Sequence, residues 1–224
     1  MNQILIRFVV LPVAIGIPCL AGTIYSNGPE TSPSSANAYA IDGAYSISDG
    51  FVPTLSGVVS SFSFGYGPVG LGTPLSVSWA LGTTPFGTDL GQGTATASTN
   101  LSYVYLFTVT VGTQSGDYYE STVSGVTANL IGGDTYYLSL SNAQDSGGFG
   151  GSGWRYSLGP ATCDYAISGV NQGACTGLLG SQSESFLISG TVITPEPGSV
   201  TLFASGLLAM VGLVSRKARR SISR

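Results

Sequence analysis

The chain has 224 residues, of which 7 are basic, 11 acidic and none histidine, for a formal net charge of −4. Charged residues make up only 8%, against about 25% in an ordinary soluble domain. Without an imidazole, Ser-His-Asp and Cys-His catalysis and the common zinc and haem sites are excluded. The 33 glycines and 11 prolines stay below the roughly 25–30% that marks low-complexity chains, and the 43% apolar content is enough for a packed core.

The charges are segregated. Arg7 stands near the start, Arg216, Lys217, Arg219, Arg220 and Arg224 crowd the end, and Arg155 is the sole base between them. All 11 acids lie in that central stretch, which argues against a nucleic-acid partner, because phosphate binding needs Lys and Arg.

Residues Met1 to Ala21 read as a secretory signal peptide. Arg7 supplies the positive start, Phe8 to Ile17 the apolar region, and Cys19-Leu20-Ala21 the small residues of a cleavage site after Ala21. Such a leader implies passage through the Sec machinery.

Residues Gly22 to Thr194 form the candidate exported domain. Strict alternation in Leu75 to Leu81 puts Leu75, Val77, Trp79 and Leu81 on one face. Asn100 to Gly112 predicts a long strand with Leu101, Tyr103, Tyr105, Phe107, Val109 and Val111 on one side. Further strands are predicted at Ile41 to Ser48, Val58 to Tyr66, Tyr118 to Val123, Thr135 to Leu140, Trp154 to Leu158 and Ser185 to Ile193, with Gly, Pro, Asn and Asp between them. No window outside the two ends has helical periodicity. The expectation is an all-β antiparallel β-sandwich with jelly-roll-like topology.

Cys163 and Cys175 remain after the leader is removed. In an oxidising compartment, with no histidine or nearby cation to activate a thiol, they are expected to form a disulfide.

Catalytic patterns fail on context. Gly148-Phe149-Gly150-Gly151-Ser152-Gly153 matches a dinucleotide-binding fingerprint in letters, but Trp154-Arg155-Tyr156 follows where a helix should begin. Asp117 and Glu120 are close enough to suggest a carboxylate pair for glycoside hydrolysis, yet their odd spacing sends them to opposite faces of a strand. Most acids sit beside glycines and read as solvated turn residues. The same acids are the only candidates for calcium ligands, and they lack EF-hand spacing. No catalytic residue, metal or cofactor is expected, and the chain reads as a non-enzyme. Two readings compete for Trp154 and its neighbour Tyr156: a cap on the end of the sandwich, or a ring surface for a ligand such as a sugar.

The last thirty residues carry the most specific pattern. Pro195-Glu196-Pro197 precedes an apolar stretch from Ser199 to Val214 and then the basic cluster Arg216, Lys217, Arg219 and Arg220. Gly198 to Ser215 as a helix covers roughly 27 Å, just enough to cross a bilayer core. The basic end holds the cytoplasmic side. This arrangement resembles the PEP-CTERM sorting signal of Gram-negative bacteria. The resemblance implies that residues 195–224 are a sorting tail recognised through Pro195, Glu196 and Pro197 by an exosortase. It also implies transient anchoring in the inner membrane, followed by delivery to the cell surface or exterior, often in connection with exopolysaccharide and biofilm. The stretch Gly132 to Ala143 with Gly153-Trp154 is similar to segments of other exported domains of that family. The expected role is a surface or matrix protein. A carbohydrate-binding module on the same scaffold is the first alternative, and a glycosidase the second.

Overall fold

A computed structural model describes residues 19–28, 38–67, 71–111, 114–147, 151–177, 180–181 and 183–193, together with Gly206. The chain divides into two units. One comprises both ends, Met1–Pro18 and Thr194–Arg224. The sorting motif Pro195, Glu196 and Pro197, the proposed membrane helix and the tail Arg216, Lys217, Arg219 and Arg220 lie outside the described residues, as does most of the leader. Among the described residues no helix is long and apolar enough to cross a membrane.

The other unit, Cys19–Ile193, is all β. In chain order its strands are β1 (Cys19–Ser26), β2 (Ala38–Ala40), β3 (Tyr45–Phe51), β4 (Gly57–Gly67), β5 (Pro74–Gly82), β6 (Gly91–Thr96), β7 (Leu101–Val111) and β8 (Gln114–Leu130). They continue with β9 (Tyr136–Asp145), β10 (Gly153–Ser157), β11 (Thr162–Ile167), β12 (Val170–Ala174), β13 (Thr176–Gly177), β14 (Gly180–Ser181), β15 (Ser183–Glu184) and β16 (Phe186–Ile193).

Two antiparallel sheets carry the core between them. The first runs β7-β8-β4-β16-β1, and β10 pairs the last residues of β4 and brings in β2 and β15. The second has the order β12-β11-β3-β9-β5-β6. The sandwich follows from alternation. On β4, Phe62, Phe64 and Tyr66 point inward, and the register sets Phe62 between Val123 and Ile188. From the opposite sheet come Ile47 and Phe51 on β3, Leu138 and Leu140 on β9, and Val77 and Leu81 on β5. Burying such side chains is the main favourable term in folding, at about 25 cal/mol per Å² of apolar surface.

The predicted strands correspond to β3, β4, β5, β7, β8, β9, β10 and β16, with shifted limits. Two predicted faces do not persist. Leu75 is 42% exposed, because irregularities on either side of Ser76 turn it away from Val77 and Leu81. On β7, Leu101 is buried but Tyr103 and Tyr105 are 38% and 53% exposed, and the register shifts between Tyr105 and Phe107.

One glycine is fixed by close approach. On β16 the register shifts between Ser189 and Gly190, and a Cβ on Gly190 would stand 2.0 Å from the Val58 carbonyl oxygen. Gly190→Ala is therefore expected to force the central β4–β16 pair apart and cost about 3 kcal/mol or more, in the range of severe core defects. Gly125→Ala is the comparison, since a Cβ there meets nothing within 4 Å and only its φ of 75° is unfavourable. Chemical denaturation of both variants checks the difference.

Candidate functional site

Two regions concentrate polar side chains: a buried junction at one end of the sandwich, and a trough on the outer face of the second sheet.

The junction starts from a departure from the usual pattern. Ile47, Asp49 and Phe51 share the inward face of β3, so a carboxylate enters the core between two apolar side chains. Asp49 is fully buried. Its Oδ2 accepts hydrogen bonds from Ser183 Oγ at 3.0 Å and from the Glu184 backbone N–H at 2.5 Å. Glu184 is itself fully buried. Asp49 Oδ1 and Glu184 Oε2 have no hydrogen-bond partner among the described residues.

Asn27, also fully buried, joins the strands around this pair. Its Nδ2 donates to Ser183 Oγ and to the Glu184 carbonyl, and its Oδ1 accepts from Tyr25 Oη at 2.9 Å and the Ala161 N–H at 3.1 Å. Its own carbonyl accepts from Ser157 Oγ, and its N–H donates to the Phe186 carbonyl at 2.9 Å. The Cys163–Cys175 disulfide borders the junction, with Cα atoms 5.3 Å apart and Cys163 Sγ 3.8 Å from Glu184 Oε1.

Burial governs the electrostatics. It pushes Asp49 up to about 7, against the hydrogen bonds from Glu184 and Ser183 that favour its charged form. Burial, reinforced by the neighbouring Asp49, raises Glu184 well above the ordinary carboxylate range. Burial likewise raises Tyr25 to about 12 and Tyr156 further still. The reading of the acids as solvated turn residues is thus corrected at Asp49 and Glu184: one lies within β3, the other in β15, and both face the interior. Among the described residues no three His, Cys, Asp or Glu side chains converge as a metal site requires.

Trp154 completes this end. Its ring is fully buried in edge contact with Phe64 and Phe186, and its Nε1–H donates to the Ser185 carbonyl at 2.8 Å. Tyr156 is 8% exposed and packs on Tyr39. Neither ring presents a face to a ligand. Arg155, pointing the other way from Trp154, is also fully buried and lies over the rings of Tyr118 and Phe107, at 4.3 and 5.0 Å from their centroids. After Gly153 the chain runs directly into β10, so the glycine fingerprint has no helix behind it; Gly148, Phe149 and Gly150 lie outside the described residues. Asp117 accepts a hydrogen bond from Thr108 Oγ1, while Glu120 is exposed.

The trough lies on the solvent side of β3, β9, β5 and β6. Cross-strand register aligns Ser46, Ser141, Ser78 and Thr94 in one row, and Ser48, Ser139, Ala80 and Gln92 in the next. Small side chains make a low floor, and the Thr83–Leu90 turn stands over it on one side. That turn is pinned by Asp89, whose carboxylate accepts from the Thr83 N–H at 3.0 Å and Thr83 Oγ1 at 2.9 Å; these bonds hold its pKa below the ordinary value. The Phe86 N–H donates to Ser48 Oγ at 3.2 Å. The volume of this open trough is about 590 Å³, within the range of ligand-binding clefts. Phe86 and Asn142 line it with φ of 59° and 49°, and Ser168, at φ 50°, precedes the lining residue Gly169. Among the described residues these are the non-glycine positions with positive φ. Such strain costs of order 1–3 kcal/mol each and clusters at functional sites.

Nothing in the sequence pattern separated Ser46, Ser78 and Ser141 from ordinary outward-facing strand residues, because the trough arises from register between strands remote in sequence. The comparisons with known proteins add no family: no protein-family model matches the chain, and no curated protein matches it.

The junction generates a pH and a redox prediction. Asp49 and Glu184 keep their protons to higher pH in the folded chain than in the unfolded one, so the unfolded chain loses protons first as pH rises. Stability should be greatest near pH 4 and fall toward pH 7, and Asp49→Asn should flatten that slope. Melting temperatures across this interval measure both. Reducing the Cys163–Cys175 bridge, which closes a loop of sequence separation 12, should cost about 3 kcal/mol, read as a lowered denaturation midpoint in the Cys163→Ser/Cys175→Ser protein.

Proposed function

We propose that the chain is an exported, non-enzymatic cell-surface or extracellular-matrix protein, sorted through a PEP-CTERM tail. The observation that carries the reading is the arrangement of the sandwich's two ends. β1 and β16 pair antiparallel, with Cys19 opposite Ile193, so the segments read as leader and tail join the domain at neighbouring positions. Cleavage after Ala21 removes three residues of β1 and leaves the pairs from Gly22↔Gly190 to Ser26↔Leu187, including the buried Ile24. Processing within the first residues of β1 and after β16 is thus compatible with an intact core.

The disulfide supports an oxidising destination, where such bonds persist. The crossing of the chain between sheets at β3–β4, β4–β5, β6–β7 and β8–β9 supports a jelly-roll-like topology. In this account Pro195, Glu196 and Pro197 are kept extended by their prolines and are read by an exosortase, while Arg216, Lys217, Arg219 and Arg220 fix the cytoplasmic side of a short helix. A helix that barely spans the bilayer suits a temporary anchor.

The test replaces Pro195, Glu196 and Pro197 with alanine in a host that carries an exosortase, and follows the C-terminus by mass spectrometry. Mature wild-type protein should lack Arg216 to Arg224, and the triple variant should retain them in the membrane fraction. Equal processing of the two proteins, or a mature wild type that keeps its basic end, would replace sorting with a plain membrane anchor.

A further inference from the structure

We infer that the trough across β3, β9, β5 and β6 is a binding site for a neutral, hydroxyl-rich polysaccharide. The inference stands apart from the sorting reading, because it rests on the second sheet alone.

Charge selects the ligand class. Arg155 is the single base between Arg7 and Arg216, and it is fully buried beneath Tyr118 and Phe107. The described surface of the sandwich therefore offers no cation to a phosphate, a uronate or a sulfate ester, and the exposed acids Asp89, Glu120 and Asp134 repel such groups. The lining of the trough carries no acid either, so it does not select a cation. A neutral ligand is what this surface can hold.

Hydrogen-bonding chemistry narrows the class further. The hydroxyls of Ser46, Ser78, Ser141 and Thr94 each donate and accept, whereas those of Ser48 and Ser139 are buried and bonded to each other at 2.9 Å; the Gln92 and Asn142 amides also donate and accept. Ser78 and Thr94 share a 3.3 Å contact, at the long end of the hydrogen-bond range, and so remain available to a stronger partner. The row Ser46–Ser141–Ser78–Thr94 repeats at the strand spacing of about 4.8 Å and covers roughly 14 Å. A chain of sugars presents vicinal hydroxyls in a comparably repeating series. A peptide is disfavoured, because the backbone groups of this face are already paired within the sheet, and an added strand would dock at an edge instead. Phe86, held over the floor by its bond to Ser48, supplies the apolar contact that sugar rings take on their C–H faces. Its left-handed backbone is strain that the fold maintains at the wall of the trough.

The test is affinity electrophoresis of the full-length chain in mild detergent, through gels containing dextran, glucomannan or xyloglucan as neutral probes and alginate as the acidic one. At least one neutral polymer should retard the protein, and alginate should not. Gln92→Ala, on the exposed edge, and Ser141→Trp, which fills the floor, should each weaken retardation at least tenfold with an unchanged melting temperature. Phe86→Gly should also weaken it while raising the melting temperature through relief of strain. Glu120→Gln, on the first sheet, should bind as wild type. Failure of all three neutral polymers, equal retardation by alginate, or trough variants that bind like wild type would overturn the inference. None of these outcomes depends on the C-terminal tail, so failure of sorting and failure of binding are separate results.

Discussion

The burial of Asp49 is the constraint on which the closed end of the sandwich depends. An ionised carboxylate in that position faces a desolvation cost that its two hydrogen bonds do not offset, so its pKa is pushed up to about 7. Its position on β3, opposite Ser183 and Glu184, ties the second sheet to the strands that extend the first. Asn27 then joins the end of β1, the turn after β10 and β15 through bonds at each of its polar atoms. A buried polar network of this kind rewards only the correct strand arrangement, because each mispaired alternative strands a donor or acceptor. The disulfide at its border closes the β11–β12 hairpin.

With cohesion concentrated inside and at this end, the outer faces need not stabilise the fold through charge. That accounts for a surface carried largely by Ser, Thr, Gly and Tyr, with few ions and no exposed base among the described residues of the sandwich. On the second sheet it becomes a trough because the Thr83–Leu90 turn rises above side chains as small as serine and alanine.

The sequence was most legible where alternation is clean. The strands predicted at Val58 to Tyr66 and Ser185 to Ile193 are present as β4 and β16, and their alternation buries Phe62, Phe64 and Tyr66 on one and Phe186, Ile188 and Val192 on the other. Elsewhere the period of two misled: Leu75 sits beside the irregularities that flank Ser76, and Tyr103 and Tyr105 lie on β7, an edge strand paired among the described residues only with β8, where they stay partly exposed. Strand β8 extends well beyond Tyr118 to Val123 because Ser, Thr and Gly carry pairing as well as apolar residues do, its start pairing with β7 and its end with β4. Asp49 was hidden by its neighbour Gly50, since an Asp-Gly pair ordinarily signals a turn, although Ile47 and Phe51 on either side mark the same inward face. The trough had no signal in a single strand. It needs four strands in register, and that information lies in the pairing of distant segments.

The most direct test of the buried acid junction is a carbon-13 NMR titration of the side-chain carboxyl groups in the folded protein from pH 3 to pH 8, with Asp49→Asn and Glu184→Gln used to assign the signals. Two carboxyls that stay protonated beyond pH 6, and that vanish singly in the corresponding variants, are the predicted result. Complete ionisation of every carboxyl by pH 5 in a folded chain would show that Asp49 and Glu184 are solvated, and would contradict the closed junction at the end of the sandwich.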